Sequence, residues 1–265
     1  MANVIISNDF PTLVNADITA RSETAPYLKV NVVDHLHLKR RFRADDLVKS
    51  EVNPLIYFDL GSAQTIVGVF LNDINFDKTR ILGDANDLGV NWAAATFDSG
   101  EDHVVSEDGW VERYKIYIPL TGFNLRWLAI MTPAAASAVG SYQTKWEVGS
   151  IVLIKSKLEF SKNAFMRTAE KPFEDIVLSH GGSERMNLGD NLIWRGEVSL
   201  DQKAETDESE WINVNALDIS KPIVLYENRT DDCKAYLALR DDVYQGTLPH
   251  YGLVKGNTIS FKELV

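Results

Sequence analysis

One cysteine, Cys233, is all that the 265-residue chain contains, so it can form neither an intramolecular disulfide nor a tetrahedral cysteine zinc site. The fold has to stand on its apolar core. Long hydrophobic runs are missing too. No stretch approaches the roughly 18 apolar residues of a membrane span, and the opening MANVIISNDFPTL has neither the charged start nor the apolar core of a secretion signal. The sequence therefore predicts a protein made in a cytoplasm, with no membrane partner. Basic residues are in the minority: 27 Lys and Arg stand against 38 Asp and Glu, for a net charge of −11. Because nucleic-acid backbones are held by cations, this balance argues against a nucleic-acid partner. The one basic cluster, Lys39-Arg40-Arg41-Phe42-Arg43, reads as a charged loop or a subunit contact.

Catalytic constellations are equally scarce. There are five histidines. His35 and His37, two apart, would share one face of a strand as a metal site requires, but no third ligand stands at a recognisable distance. Two surface or interface histidines are the other reading. His103, His180 and His250 fall in loops. Gly61-Ser62-Ala63 lacks the second glycine of a nucleophile elbow, and the acidic neighbours of Cys233 oppose a reactive thiolate. No carboxylate pair is singled out by its spacing for glycoside hydrolysis. The sequence predicts a protein that is not an enzyme.

What is present is β-structure. Apolar residues make up 45% of the chain, enough for a real core, and a length of 265 suits two domains. Ile56, Phe58 and Leu60 alternate with Tyr57 and Asp59, as in a half-buried strand. Residues 61–64 form a turn, and residues 66–71 run almost wholly apolar, as in a strand covered on both faces. Further strands are predicted at residues 4–6, 27–33, 92–97, 111–120, 123–131 and 145–154. Residues 132–141 are rich in alanine but too short for an unsupported helix, so they read as a loop. The texture changes after residue 155, and short strand-like segments follow to the end of the chain. The boundaries are therefore set at 1–155 and 156–265. Loops 72–91 and 98–110 are the expected binding regions.

Two local patterns bear on ligands. Asp73, Asn75 and Asp77 place oxygens at alternate positions, as in the first part of a calcium loop, although the later glycine and glutamate of an EF-hand are missing. A structural calcium ion is the one cofactor this pattern admits; the other reading is a turn whose side chains cap backbone groups. Of the six tryptophans, Trp92, Trp127, Trp146 and Trp194 lie in strand-like runs and read as core. Trp110 and Trp211 follow acidic loops and are the expected exposed rings, Trp110 being the candidate ligand-binding residue.

The segments IYFDLGSAQTIVGVFL (56–71), FNLRWLAIM (123–131) and KWEVGSIVLI (145–154) together resemble a galactose-binding-like jelly roll of the discoidin type, over about residues 20–155. The resemblance implies a β-sandwich that serves either as a carbohydrate-binding module or as a structural one. The end of the chain, with Ile259, Phe261, Glu263 and Leu264, resembles the split barrel that closes tail-tip and baseplate ring proteins of tailed phages, although in those proteins the barrel comes first. This implies an all-β chain, a jelly roll followed by a smaller β-barrel or sandwich domain. The function it implies is that of a virion protein of the phage tail, partnered with other tail proteins in a homo-oligomeric ring closed through residues 258–265. The alternative is a carbohydrate-binding protein that recognises host-surface glycans.

Overall fold

The computed structural model describes residues 3–35, 40–100, 103–104, 114–138, 144–161, 165–170, 177–178, 185–186, 193–199, 203–204, 223–229, 232–240, 253–254 and 258–263. Among them there is no α-helix, only 3-10 turns at Asn15–Asp17 and Lys29–Val33. The strands of the first half are β1 (Asn3–Asp9), β2 (Ile18–Ala20), β3 (Phe42–Arg43), β4 (Ile56–Ile74), β5 (Lys78–Asp84), β6 (Phe97–Asp98), β7 (His103–Val104), β8 (Tyr114–Met131) and β9 (Glu147–Ile154). Those of the second half are β10 (Ser156–Ser161), β11 (Phe165–Glu170), β12 (Val177–Leu178), β13 (Arg185–Met186), β14 (Ile193–Ser199), β15 (Lys203–Ala204), β16 (Ile223–Arg229), β17 (Asp232–Arg240), β18 (Leu253–Val254) and β19 (Thr258–Glu263).

The first half is a jelly-roll β-sandwich built on the antiparallel ribbon of β4 and β8. The ribbon pairs from Ile56↔Ile130 to Ile74↔Tyr114 and is interrupted by bulges, the first between Asp59 and Gln64. At that break Gly61 adopts φ 74°, a conformation that costs glycine little, so the expected turn is a bend within one strand. Bulges of this kind sharpen local twist. The neighbours of β4 change along its length: its first part pairs with β2 and its later part with β9, while β5 flanks the far end of β8. Side chains from both parts, including Phe58, Val69, Leu128, Ile130, Val148 and Ile151, meet in one buried cluster. Of the segments 111–120 and 123–131, expected as two strands, the described residues lie in the single strand β8, Tyr114–Met131. Residues 27–33, expected as a strand, carry the 3-10 turn instead, with Val32 fully buried. A turn with one inward apolar residue needs no strand partner.

The second half is a seven-stranded antiparallel sheet in the order β10-β1-β16-β17-β19-β14-β11. Its end strands, β10 and β11, are consecutive in sequence, three residues apart. Six inter-strand steps in a flat sheet would separate them by roughly 29 Å, whereas the connection spans at most about 14 Å. The sheet must therefore curl into a barrel. Two expectations are corrected by this topology. The N-terminal strand β1, placed by the sequence within the first unit, pairs with β10 and β16, so the sandwich is inserted between two neighbouring barrel strands. The closing strand, expected to offer an open edge for ring contacts, lies inside the sheet with β14 and β17 on its two sides, and its described pairing leaves no such edge.

Sandwich and barrel share an apolar contact. The outer face of the ribbon's later part presents Phe70 and Tyr117, β9 adds Val152 and Ile154, and all pack against Val224 and Leu237 of the barrel, which are themselves cross-strand partners. Residues 66–71 are thus covered on both faces, as their unbroken hydrophobicity requires. Gly68 allows the tightest part of this packing, since a Cβ there would lie 2.6 Å from the Tyr117 hydroxyl.

Asp9 and Ser156 are register partners. Joining them through a two-residue turn in place of residues 10–155 should give a protein that retains a β-type circular dichroism spectrum and unfolds cooperatively. Because excision uncovers Val224 and Leu237, replacing both by Thr should improve its solubility. Loss of cooperative unfolding in both forms would show that the barrel needs its insert.

Candidate functional site

Strand alternation sorts the first part of β4 and the matching part of β8 into two faces. Ile56, Phe58, Leu60, Leu128 and Ile130 enter the core. Tyr57, Trp127, Ala129 and Met131 point the other way, where Leu82 and Trp92 join them in a second cluster. Trp127 is the register partner of Asp59 on one side and of Asp84 on the other, so it sits mid-row between two carboxylates. Tyr57 lies 6.1 Å from Trp127, ring centre to ring centre, and 5.7 Å from Trp92. Tyr57 and Trp127 are half-buried; Trp92 is only 1% exposed.

Residues 84–97 hold Trp92 in place. Asp84 is buried and its carboxylate accepts from the backbone N–H groups of Asn86 (2.8 Å) and Thr96 (2.9 Å), clamping both ends of the segment. Burial pushes this carboxyl up, but the donated hydrogen bonds outweigh burial and hold it below the ordinary carboxylate range. The Trp92 indole N–H donates to Gly89 O at 2.8 Å and its backbone N–H to Val52 O at 2.7 Å. The expected strand at 92–97 is replaced by this tethered turn, of which only Phe97–Asp98 pairs as strand. Arg80 ties the neighbouring edge together by binding Asp98 and, at 3.0 Å, Glu51, and its pairing with Asp98 favours the ionised form of both. Asp98 accordingly lies low and Arg80 high.

The polar groups of the aromatic face converge on Arg126. Its Nε and one terminal nitrogen donate to the two oxygens of Asp59 at 2.8 and 2.9 Å, the fork geometry that fixes a guanidinium in direction as well as place. The Arg126 hydrogen bond lowers the Asp59 pKa. The guanidinium lies 5.3 Å from the centre of the Trp127 ring, and Asp87, on the adjoining loop, also attracts it. A half-buried aromatic flanked by oriented charged groups can stack on the apolar face of a ring while hydrogen bonds select its substituents.

The calcium-like residues are engaged elsewhere. The Asp73 carboxylate accepts from Arg41 Nε at 2.6 Å. Asn75 donates to Lys145 O at 2.8 Å and accepts from the Glu147 backbone N–H at 2.7 Å. Asp77 accepts from the Ser137 backbone N–H at 2.6 Å. Each side chain takes a different protein partner. Described members of the basic cluster also have partners: Arg43 binds the fully buried Glu147 and stacks 3.9 Å from the centre of the Tyr27 ring, and the exposed Arg40 binds Asp34 at 3.4 Å. Trp110, Trp211 and His37 lie outside the described residues. Sequence reasoning placed Trp127 in the core with Trp146; Trp146 is fully buried, but Trp127 belongs to the outer face.

No protein-family model and no curated protein matches the chain. The chain is similar to several solved structures. One is the third family-32 carbohydrate-binding module of a family 31 glycoside hydrolase from Clostridium perfringens, with 12% identity and a TM-score of 0.40 over 54% of this chain and 94% of that one. Another is the family-32 module of AlyQ in complex with 4,5-unsaturated mannuronic acid, with 16% identity and a TM-score of 0.36 over 57% and 98%. A third is chitosan-binding module 2, in complex with chitotriose, of a chitosanase/glucanase from Paenibacillus sp. IK-5, with 21% identity and a TM-score of 0.35 over 51% and 94%. These three neighbours are carbohydrate-binding modules, not the phage-tail proteins expected from the sequence.

Asp84→Ala should leave the Asn86 and Thr96 N–H groups without their charged acceptor and cost about 1–3 kcal/mol of stability. Hydrogen exchange at the Asn86 and Thr96 amides should accelerate more than exchange in β9, which a uniform loss of stability would not produce.

Proposed function

We propose that this chain is a glycan-binding protein and that its sandwich meets sugar with the outer sheet face centred on Trp127. The observation that carries this reading is the union, on one rigid strand pair, of a half-buried indole with a guanidinium held in a fixed direction by Asp59. Sugars offer C–H faces that stack on aromatic rings and hydroxyls that take directional hydrogen bonds, so a preoriented polar group beside a ring is what their recognition requires. Tyr57 extends the apolar surface and Asp87 stands beside the guanidinium. Placement on β4 and β8 adds rigidity, because the inward side chains of the same strands are locked in the core. The role is binding and not catalysis.

A glycan array followed by calorimetry tests the proposal. Saturable binding to at least one glycan is expected, with an affinity that falls at least about tenfold, or ~1.4 kcal/mol, in Trp127→Ala. Arg126→Ala should weaken the same interaction while the melting temperature holds, since exposed ion pairs add little stability. Binding that survives Trp127→Ala and disappears in Trp110→Ala would move the site to the 98–110 loop and overturn this placement.

A further inference from the structure

His35 stands where the sandwich meets the strand that leads out of the barrel. Its Nδ1 lies 2.8 Å from Ser150 Oγ, on the β9 face turned toward the barrel, and Ser150 Oγ also donates to Val32 O at 3.4 Å. The Phe10 ring meets the imidazole edge-on, with centroids 6.1 Å apart. Phe10 directly follows β1 and packs on the cluster in which Phe70, Tyr117, Val152 and Ile154 face Val224 and Leu237. One imidazole is therefore walled on one side by the sandwich and on the other by the first residue beyond the barrel strand.

We propose that His35 is an acid-sensitive latch between sandwich and barrel: while neutral it closes the junction against Phe10, and on protonation it drives Phe10 away to reach water. Burial holds His35 down to about 4, against the opposing pull of Asp34. An imidazole with an ordinary pKa near 6.5 once exposed therefore binds its proton more readily in the open junction than in the closed one. The neutral ring's contribution to closure is complete above about pH 6.5 and is lost progressively as pH falls toward 4. Phe10 is the part of the wall that can yield, since Val32 and Ser150 are fixed within the sandwich.

Other charges around the junction have partners of their own. Asp34, on the same segment, binds Arg40. Asp9, at the end of β1, is held by Lys155 at 3.5 Å and by the Ser156 hydroxyl at 2.9 Å. Asp73, at the end of β4, binds Arg41, and Glu147, at the start of β9, binds Arg43. The test has to isolate the imidazole from these ion pairs.

The full chain is used. Hydrogen exchange of peptides covering residues 7–12 and 150–156, corrected for intrinsic rate, is followed from pH 7 to 4.5, beside a direct NMR titration of His35. Protection should fall at least about tenfold in the native sequence and stay constant in His35→Asn, whose amide can reach Ser150 but cannot gain a proton. By reciprocal linkage, Phe10→Ala should raise the His35 pKa by about one unit, a tenfold change in proton affinity. That arm also decides the matter if His35→Asn does not fold. Parallel loss of protection in both proteins, a His35 pKa near 6.5 in the intact chain, or a pKa unmoved by Phe10→Ala would overturn the proposal.

Discussion

The pairing of β4 with β8 is the constraint on which the rest of the molecule depends. A single antiparallel ribbon, bent at Asp59 to Gln64, supplies strands to both layers of the sandwich, so the core is enclosed by a ribbon folded over itself. Its two outer faces then have different fates. Beside the first part, the outer face carries Tyr57 and Trp127 with their charged neighbours; beside the later part, it carries Phe70 and Tyr117 and is sealed by the barrel. Binding surface and domain contact are thus two ends of one pair of strands. The bulges that bend the ribbon keep the two faces apart.

This arrangement explains why the polar groups are placed as they are. Antiparallel pairing satisfies the backbone along the ribbon, so side chains near it are released for other work. Where loops must be held against the sheet, carboxylate and amide side chains cap them: Asp84 at the aromatic face, Asn75 and Asp77 at the opposite end of β4. Asp84 and Asp77 thus have a local architectural use. Arg126 with Asp59 differs from Arg43 with Glu147, another ion pair across neighbouring strands beside a ring, in lying on the more exposed face.

The parts of the fold legible in the sequence were those in which one strand writes its own environment. Alternation at residues 56–60 distinguished two faces, and its loss at residues 66–71 signalled burial on both. What covers those residues could not be read, because Val224 and Leu237 lie some 150 residues away and say nothing locally about their partner. Membership of β1 in the barrel was hidden for the same reason: pairing between residues 3–9 and 223–229 leaves no short-range mark. Trp127 was misjudged by treating a strand as wholly interior. The signal was available, since Leu128 and Ile130 claim the core and leave Trp127, Ala129 and Met131 to the other side. For residues 27–33, β-branched composition favoured a strand, while the one fully inward residue, Val32, needed only a turn.

The insertion of the sandwich between β1 and β10 has a mechanical consequence. Tension applied between Asn3 and Glu263 enters and leaves through barrel strands, so the inter-strand hydrogen bonds of the barrel lie in the load path while the sandwich hangs beside it. A pull that would strip a tandem arrangement one domain after the other leaves the Trp127 face unstressed until β1 itself peels from β10 and β16. Within the sandwich, the junction at Phe10 would be the first part that this peeling reaches.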